Sequence, residues 1–270
     1  MLFVATVHYR SAGWVEIQTR HLREHIKVPY QTWTSLEGID PSYARHFDRV
    51  LEQRGSHAGK LNQLGYEICL QADDGDLLMF LDGDAFPIAD PMPFLEDALA
   101  RAPLVAVRRA ENADEPQPHP CFCVTTVGTW RRLPGDWTAG PTWRGAVGGL
   151  TTDVGGNLLR RLELSKTPWI AMLRSNRRNL DPLYFGIYED IVYHHGAGFR
   201  SGALSPAHFA MAPKPSQIRR LRVLGQLARL AGRTGWRLWE RRMRSHQLRM
   251  SKLVYEKIAS GGSEWLSEFT

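Results

Sequence analysis

The first 110 residues alternate between short apolar runs and stretches with helical periodicity. The apolar runs at residues 2–7, 77–81 and 104–107 predict buried strands, and residues 28–34 predict another strand. Apolar side chains three and four positions apart predict helices between the strands, at residues 14–26, 43–51, 58–72 and 94–102. This alternation is typical of an α/β domain whose mostly parallel sheet is covered by helices on both faces.

The pattern changes after residue 110. Residues 110–150 are rich in Gly and Pro, which predicts a loop-rich segment with short strands. Trp130, Trp137 and Trp143 lie in this segment, where they suit either stacking on a sugar or the more common role of filling a core. A helix is predicted at residues 156–164 and a strand at residues 187–193.

The composition narrows the class of protein. The 270 residues are 43% hydrophobic and 23% charged, which excludes a disordered, collagenous or coiled-coil chain. No run of 18 apolar residues is present, so no membrane-spanning helix is predicted, and the apolar start of the chain indicates a strand rather than a signal peptide. Three Cys are too few for a disulfide framework, so we expect a cytoplasmic protein.

The net charge of +6 is unevenly distributed. Residues 213–252 hold 12 Lys/Arg and one acid, and the rest of the chain is mildly acidic. Apolar residues, including Trp236, Trp239 and Met243, recur there at helical spacing among the arginines. We expect a basic amphipathic helix that lies on an anionic membrane surface or packs on the body of the protein. Specific nucleic-acid binding is not expected, since no nucleic-acid-binding module is recognisable.

The most informative motif is Asp82-Gly83-Asp84, which directly follows the apolar strand at residues 77–81. Two carboxylates therefore emerge where the strand ends, and Gly83 eases the turn between them. Ligands of α/β sheets bind at the carboxyl ends of the strands. Carboxylates alone favour hard cations such as Mg²⁺ or Mn²⁺, so the motif predicts a metal site.

A second group of polar residues lies between Tyr188 and Arg200, with the pairs Glu189-Asp190 and His194-His195 followed by Gly196 and Gly198. An imidazole that completes a carboxylate site shifts the preference towards Mn²⁺. The glycines allow a phosphate to approach the backbone, and Arg200 is placed to pair with it. The alternative interpretation is a structural or exposed His pair.

Two further segments are candidates for ligand binding. Asp153 precedes Gly155-Gly156 at the start of a predicted helix, where it either caps the helix or holds a substrate hydroxyl. Residues 54–62 carry His57, Lys60 and other polar side chains at the start of another predicted helix, and a basic helix N-terminus is an anion site.

Together these motifs resemble the GT-A glycosyltransferases over roughly residues 1–205. The resemblance implies a Rossmann-like domain with a mixed, mostly parallel sheet that binds a nucleoside-diphosphate sugar. It implies that Asp84 binds the metal on the donor diphosphate and that Asp82 contacts the ribose or the metal shell. A late His is another metal ligand in several members, and the spacing before Gly198 and Arg200 favours His195 over His194.

The resemblance also assigns roles to other residues. For nucleotide-sugar binding it implies Thr6, His8, Tyr9, His57, Lys60, Asn62, Asp82, Gly83, Asp84 and Arg200. For the acceptor it implies Trp143, Asp153, Gly155 and Gly156. Inverting members follow a Gly-Gly segment with a Glu-Asp pair whose Asp is the general base, which points to Asp190, with Asp153 orienting the acceptor. A retaining mechanism remains open.

Two other enzyme classes share parts of this pattern. In aspartate-based phosphatases, Thr or Val stands two residues after the second Asp, near the start of the chain. Phe86 occupies that position here. A nucleotidyltransferase usually carries a Gly-rich basic loop after its first strand, which residues 7–13 match poorly.

We therefore expect a GT-A domain at residues 1–210, with a nucleotide-sugar half at 1–110 and an acceptor half at 111–210, followed by a basic helical extension at 211–270. The expected function is Mn²⁺- or Mg²⁺-dependent transfer of a sugar to an acceptor hydroxyl in bacterial surface-glycan synthesis, at the inner face of the membrane. The alternatives are a soluble small-molecule acceptor, or a non-catalytic membrane- or polyanion-binding protein.

Overall fold

A seven-stranded mixed sheet forms the centre of the molecule, with strand order β10-β6-β7-β4-β1-β2-β3 in the computed structural model. The structure describes residues 1–52, 54–145, 149–196, 204–212 and 225–269. The central strands are β1 (Leu2–Tyr9), β2 (Tyr30–Glu37), β3 (Arg49–Val50), β4 (Leu77–Asp82), β6 (Leu104–Val107), β7 (His119–Thr126) and β10 (Ile170–Met172).

Smaller strands and the helices surround this sheet. One three-stranded sheet joins β5 (Ala85–Pro87), β11 (Gly186–Tyr188) and β12 (Val192–His194), and a short hairpin joins β8 (Trp143–Arg144) and β9 (Leu150–Thr151). The helices are α1 (Gly13–His25), α2 (His57–Cys69), α3 (Met92–Arg101), α4 (Val127–Arg132), α5 (Gly156–Leu164), α6 (Pro206–Ala210) and α7 (Gly225–Ala259), with 3-10 turns at Pro41–His46 and Glu264–Glu268.

The predicted α/β class with a mostly parallel sheet is confirmed. β1 pairs in parallel with β2 and β4, and β6 pairs in parallel with β10, whereas β7 runs antiparallel between β4 and β6. Alternate residues of β1 enter two different cores, because successive side chains of a strand point to opposite faces. Phe3, Ala5 and Val7 pack on one face, and Leu2 and Val4 pack on the other.

A third core joins the C-terminal part of the chain to the body. Val254 and Ile258 of α7 are buried together with Trp14 of α1, and Trp265 and Phe269 belong to the same cluster. Phe209 stacks on Trp236 at 6.0 Å, nearer the start of α7. The described part of the basic extension therefore lies against the body along one side.

The largest departure from the sequence prediction is β7. Residues 110–150 were expected to be loop-rich, yet an eight-residue strand from this segment lies in the middle of the sheet. The pairing register with β6 shifts between Ala106 and Val107, whose partners are Cys123 and His119. Pro120 lies within that shift, and such irregularities are where a strand tolerates proline. Trp130 and Trp137 of the same segment pack on Phe80 in the core.

Two smaller predictions are also wrong. Residues 43–51 contain the end of a 3-10 turn and the short β3 instead of a helix, because Arg49 and Val50 are held in an extended conformation by their pairing with β2. Residues 187–193 form a tight hairpin instead of one strand, with Glu189 and Asp190 at positive φ in its turn. None of the helices in the described ranges is long and apolar enough to cross a membrane.

Candidate functional site

A cleft of about 630 Å³ opens at the carboxyl ends of the parallel strands. Tyr9 and Glu37 line it at the ends of β1 and β2, Asp82 lines it at the end of β4, and Gly83 and Asp84 follow directly. This edge is where ligands of parallel α/β sheets bind. The cleft is also lined by Trp143, Thr151, Thr152, Asp153 and Val154.

Asp82, Asp84 and His194 form a buried group in the cleft, and each of the three side chains is of a type that can ligate a metal ion. His194 Nε2 lies 3.6 Å from Asp82 Oδ2 and 3.5 Å from Asp84 Oδ1. Ligands about 2.1 Å from one ion stand about 3.0–3.5 Å apart at angles of 90–110°, close to these separations. Two carboxylates and one imidazole therefore fit a divalent cation, with a donor set suited to Mn²⁺.

Hydrogen bonds orient both carboxylates. Asp82 Oδ1 lies 2.8 Å from His57 Nε2, and Asp84 Oδ2 accepts the backbone N–H of Gly196 at 3.1 Å. His119 Nδ1 lies 4.0 Å from Asp82 Oδ2. Each aspartate thus turns its other oxygen towards His194, and partners of this kind hold metal ligands in place.

The structure corrects the preference for His195 as the metal ligand. His195 is fully buried behind the cleft, where Nδ1 lies 2.9 Å from the Tyr193 hydroxyl and Nε2 lies 2.8 Å from Ser251 Oγ. Burial lowers the pKa of His195 to about 3. Successive residues of a strand point to opposite sides, so only one of the two His of β12 and its continuation faces the aspartates.

Gly83 is required by a close approach of two strands. A Cβ on Gly83 would lie 2.5 Å from the carbonyl oxygen of Val7 and 2.8 Å from Nδ1 of His8. Real side chains do not tolerate such distances, so the Asp-Gly-Asp turn packs directly on the end of β1.

Asp153 belongs to a charged group that lines the cleft. Its Oδ2 accepts from Arg109 Nη2 at 2.6 Å, and the same nitrogen donates to both carboxylate oxygens of Glu115, at 3.0 and 2.8 Å. Glu115 is fully buried, and this burial raises its pKa, while the Arg109 guanidinium acts in the opposite direction. Asn112 and Gln117 also donate to Glu115. The Asp153 side chain is 38% exposed, so it is accessible from the cleft.

The structure also corrects the placement of Asp190 at the reacting centre. Asp190 is exposed in the turn between β11 and β12, and it does not line the cleft. Its backbone N–H donates to Ser175 Oγ at 2.9 Å. The β11–β12 pairing places Gly186 opposite His194, so Asp190 and His194 lie at opposite ends of one hairpin.

The other predicted residues divide into two groups. His57, Lys60, Tyr9 and Trp143 line the cleft, with Lys60 ion-paired to Glu37. The remainder do not line it, because they serve the packing of the fold: Thr6 and His8 are fully buried in β1, Asn62 bonds to Asp136 and the backbone of Trp137, and Gly155 and Gly156 pack on Pro118 and Gly140. Arg200 and Gly198 lie outside the described residues.

The sequence interpretation missed several cleft residues, notably Glu37, Arg109, His119 and Tyr184. Glu37 ends β2 and Arg109 lies two residues after β6, so their positions at strand ends were the available signal. His119 gave no such signal, because its strand was not predicted.

Comparisons with known proteins give structural similarities at low sequence identity. No family model and no curated protein sequence matches the chain. Solved structures that resemble it include TarS of S. aureus, at 9% identity and a TM-score of 0.37 over 51% of this chain and 30% of that chain. The glycosyltransferase GlyE of Streptococcus pneumoniae has 13% identity and a TM-score of 0.37, over 49% of this chain and 36% of that chain. This chain thus spans about a third of each of those proteins.

A third similarity covers most of the chain. The mannosyltransferase PcManGT from Pyrobaculum calidifontis, whose structure contains GDP-Man and Mn²⁺, has 13% identity and a TM-score of 0.46. The alignment covers 92% of this chain and 84% of that one.

Proposed function

We propose that this protein is a metal-dependent glycosyltransferase that uses a nucleoside-diphosphate sugar. The observation that supports this most strongly is the Asp82–Asp84–His194 group at the carboxyl edge of the sheet, inside a cleft of about 630 Å³. This volume lies within the range of about 300–1,000 Å³ that is usual for small-molecule sites.

In this proposal, Asp82, Asp84 and His194 hold Mn²⁺ or Mg²⁺. The cation, when bound, offsets the negative charge of the departing diphosphate. His57 orients Asp82 through the 2.8 Å contact described above, and Lys60 of α2 pairs with Glu37 at the end of β2. These residues form the donor side of the cleft.

The acceptor occupies the side formed by Trp143 and Asp153. The acceptor oxygen attacks the anomeric carbon, the bond from that carbon to the diphosphate oxygen breaks, and the nucleoside diphosphate leaves with the electron pair. As the new bond forms, Asp153 accepts the proton of the attacking hydroxyl, and Arg109 holds the Asp153 carboxylate in place. Asp153 replaces Asp190 in this role because it is the one of the two that lines the cleft.

The first test is a thermal-shift screen of UDP, GDP, dTDP and CDP with and without Mn²⁺. Because ligand at 100 times its dissociation constant stabilises the folded state by about 2.7 kcal/mol, a bound nucleotide raises the melting temperature measurably. We expect one nucleotide to stabilise the protein only in the presence of the metal. Stabilisation by none of the four, with or without Mn²⁺, would contradict the proposed function.

We also propose that α7 lies on an anionic membrane surface. The side of α7 that faces away from the body exposes Arg237, Arg241, Arg242, Arg249 and Lys252, interspersed with Leu238, Leu248 and Leu253, which are 60%, 48% and 45% exposed. On such a helix face, the arginines can pair with anionic lipid headgroups while the exposed leucines enter the boundary between the headgroups and the acyl chains. On its opposite, buried side, α7 contacts His195 through Ser251 Oγ, 2.8 Å from His195 Nε2. In this proposal, the acceptor is presented near the membrane surface.

Membrane binding is measured by sedimentation with phosphatidylcholine vesicles, with and without phosphatidylglycerol. We expect binding only to the anionic vesicles, and the double variant Arg241→Glu/Arg249→Glu should bind at least about 30-fold more weakly, since each basic residue contributes about 1 kcal/mol. The matched control is Arg160→Glu/Lys166→Glu, which reverses two exposed charges near α5. Equal binding to both kinds of vesicle, or an equal loss in the control, would refute membrane docking through α7.

A further inference from the structure

A buried glutamine holds the turn that carries the two aspartates. Gln18 of α1 is fully buried, and its Nε2 donates to the carbonyl oxygens of Asp82 and Ala85, both at 2.7 Å. These two carbonyls stand on either side of Gly83 and Asp84. One side-chain amide therefore fixes both ends of the turn, and without it two buried acceptors would lose their donor.

His8 fixes the orientation of that amide. His8 Nε2 lies 3.0 Å from Gln18 Oε1, and an amide oxygen only accepts hydrogen bonds, so His8 donates through Nε2–H. The lone pair is then on Nδ1, the atom that packs against Gly83. Burial lowers the pKa of His8 to about 4, which keeps the ring neutral near pH 7. The amide, the imidazole and the turn thus form one continuous packed unit.

The hydrogen bonds that the two aspartates receive within the cleft differ from those of Gln18, because they reach side-chain oxygens and not backbone oxygens. His57 and the Gly196 N–H bind carboxylate oxygens of Asp82 and Asp84, so they select side-chain orientations. Gln18 binds the backbone, so it determines where the two Cα atoms stand relative to each other. A cation site needs its ligands within about 0.5 Å of the productive geometry, which requires both kinds of contact.

We propose that Gln18, oriented by His8, is a positioning residue for the cation site and sets the separation of the Asp82 and Asp84 carboxylates. This inference rests on the proposed function, because it takes the group of three ligands to hold a divalent cation. Gln18 touches neither the cation nor the substrate in this role. It acts on metal affinity only through the backbone of the turn.

The test measures Mn²⁺ affinity by calorimetry for the wild type, Gln18→Met and His8→Leu. Met keeps the length of the side chain and removes both donors. Loss of a partner outside the ligand shell typically costs about 10–100-fold in metal affinity, which we expect for Gln18→Met. For His8→Leu we expect a smaller but measurable loss of up to about tenfold. The control is Gln247→Met on α7, a buried glutamine beside a histidine that does not contact the turn.

The outcomes separate this inference from the proposed function. Wild-type protein that binds no Mn²⁺ would overturn both. Wild-type binding that persists unchanged in Gln18→Met would overturn only the positioning role, as would an equal loss of affinity in Gln247→Met. If Gln18→Met does not fold, His8→Leu decides, and an unchanged affinity in that variant overturns the role of the pair.

Discussion

Replacing Asp84 by Asn is expected to abolish Mn²⁺-dependent nucleotide binding while the fold persists. The substitution keeps the size of the side chain and the acceptor for the Gly196 N–H, and it removes one of the two carboxylate charges. Losing a partner outside the ligand shell already costs about 10–100-fold in metal affinity, so loss of a direct ligand should cost at least about 100-fold. Calorimetry with Mn²⁺ and thermal shifts with the nucleotide provide the measurement.

Asp190→Asn is the matched control for this variant. It makes the same chemical change at an exposed carboxylate outside the cleft. Mn²⁺ affinity and nucleotide stabilisation should equal those of the wild type. If Asp84→Asn retained wild-type affinity while Asp190→Asn lost it, the assignment of the cation site to this edge of the sheet would be wrong.

Of the substitutions proposed for this protein, Arg109→Met is expected to lower the free energy of unfolding the most. Arg109 is the cation that bonds to the fully buried Glu115 and to Asp153, so its removal leaves a buried carboxylate without its counter-charge. Such a change costs about 3–5 kcal/mol. The free energy of unfolding, measured by urea denaturation at pH 7, tests this. Restoring part of the loss with Glu115→Gln in the same chain would identify the unpaired charge as the cause.

The pH dependence of the Arg109→Met variant follows from the direction of the Glu115 pKa. Burial raises this pKa and Arg109 opposes the rise, so removing Arg109 should raise it further. A carboxyl whose pKa is higher in the folded than in the unfolded state binds more protons when folded, and stability then increases as the pH falls. The difference in the free energy of unfolding between the wild type and the variant should therefore shrink as the pH falls from 7 to about 4.3, the ordinary pKa of Glu. A difference that grows as the pH falls over this range would contradict the charge explanation.

Most strands and helices of the first 110 residues were predicted from the sequence, because the pattern that indicates each one lies within the element itself. β1 and β4 are nearly continuous apolar runs, and α1 and α2 carry apolar residues at helical spacing. Each of these elements is therefore predictable from its own residues. β7 was missed because Pro116, Pro118 and Pro120 at and before its start indicate a loop, and only the shifted pairing with β6 shows how Pro120 is accommodated. The hairpin around Asp190 was missed because two non-glycine residues at positive φ give no sequence signal.

The residues of the candidate site likewise fall into those that the sequence predicts and those that it does not. Asp82 and Asp84 were predicted because they directly follow a strong strand, and the end of a parallel strand is a place that sequence defines. The choice between His194 and His195 depended on which side of β12 faces the aspartates, a question of orientation that spacing does not answer. Glu37, Arg109 and His119 reach the cleft from strands that are distant in sequence.

By itself, the sequence determined the α/β class, the two aspartates of the Asp-Gly-Asp motif at the end of β4 and the basic character of the C-terminal helix, since each depends on neighbouring residues. The tertiary structure alone decided that His194 completes the group, that Asp153 and not Asp190 faces the cleft, and that Gln18 holds the turn from behind. The physical reason is that these relations join atoms on different strands and helices. Their distances are set by the packing of the sheet and its helices, which no local pattern encodes.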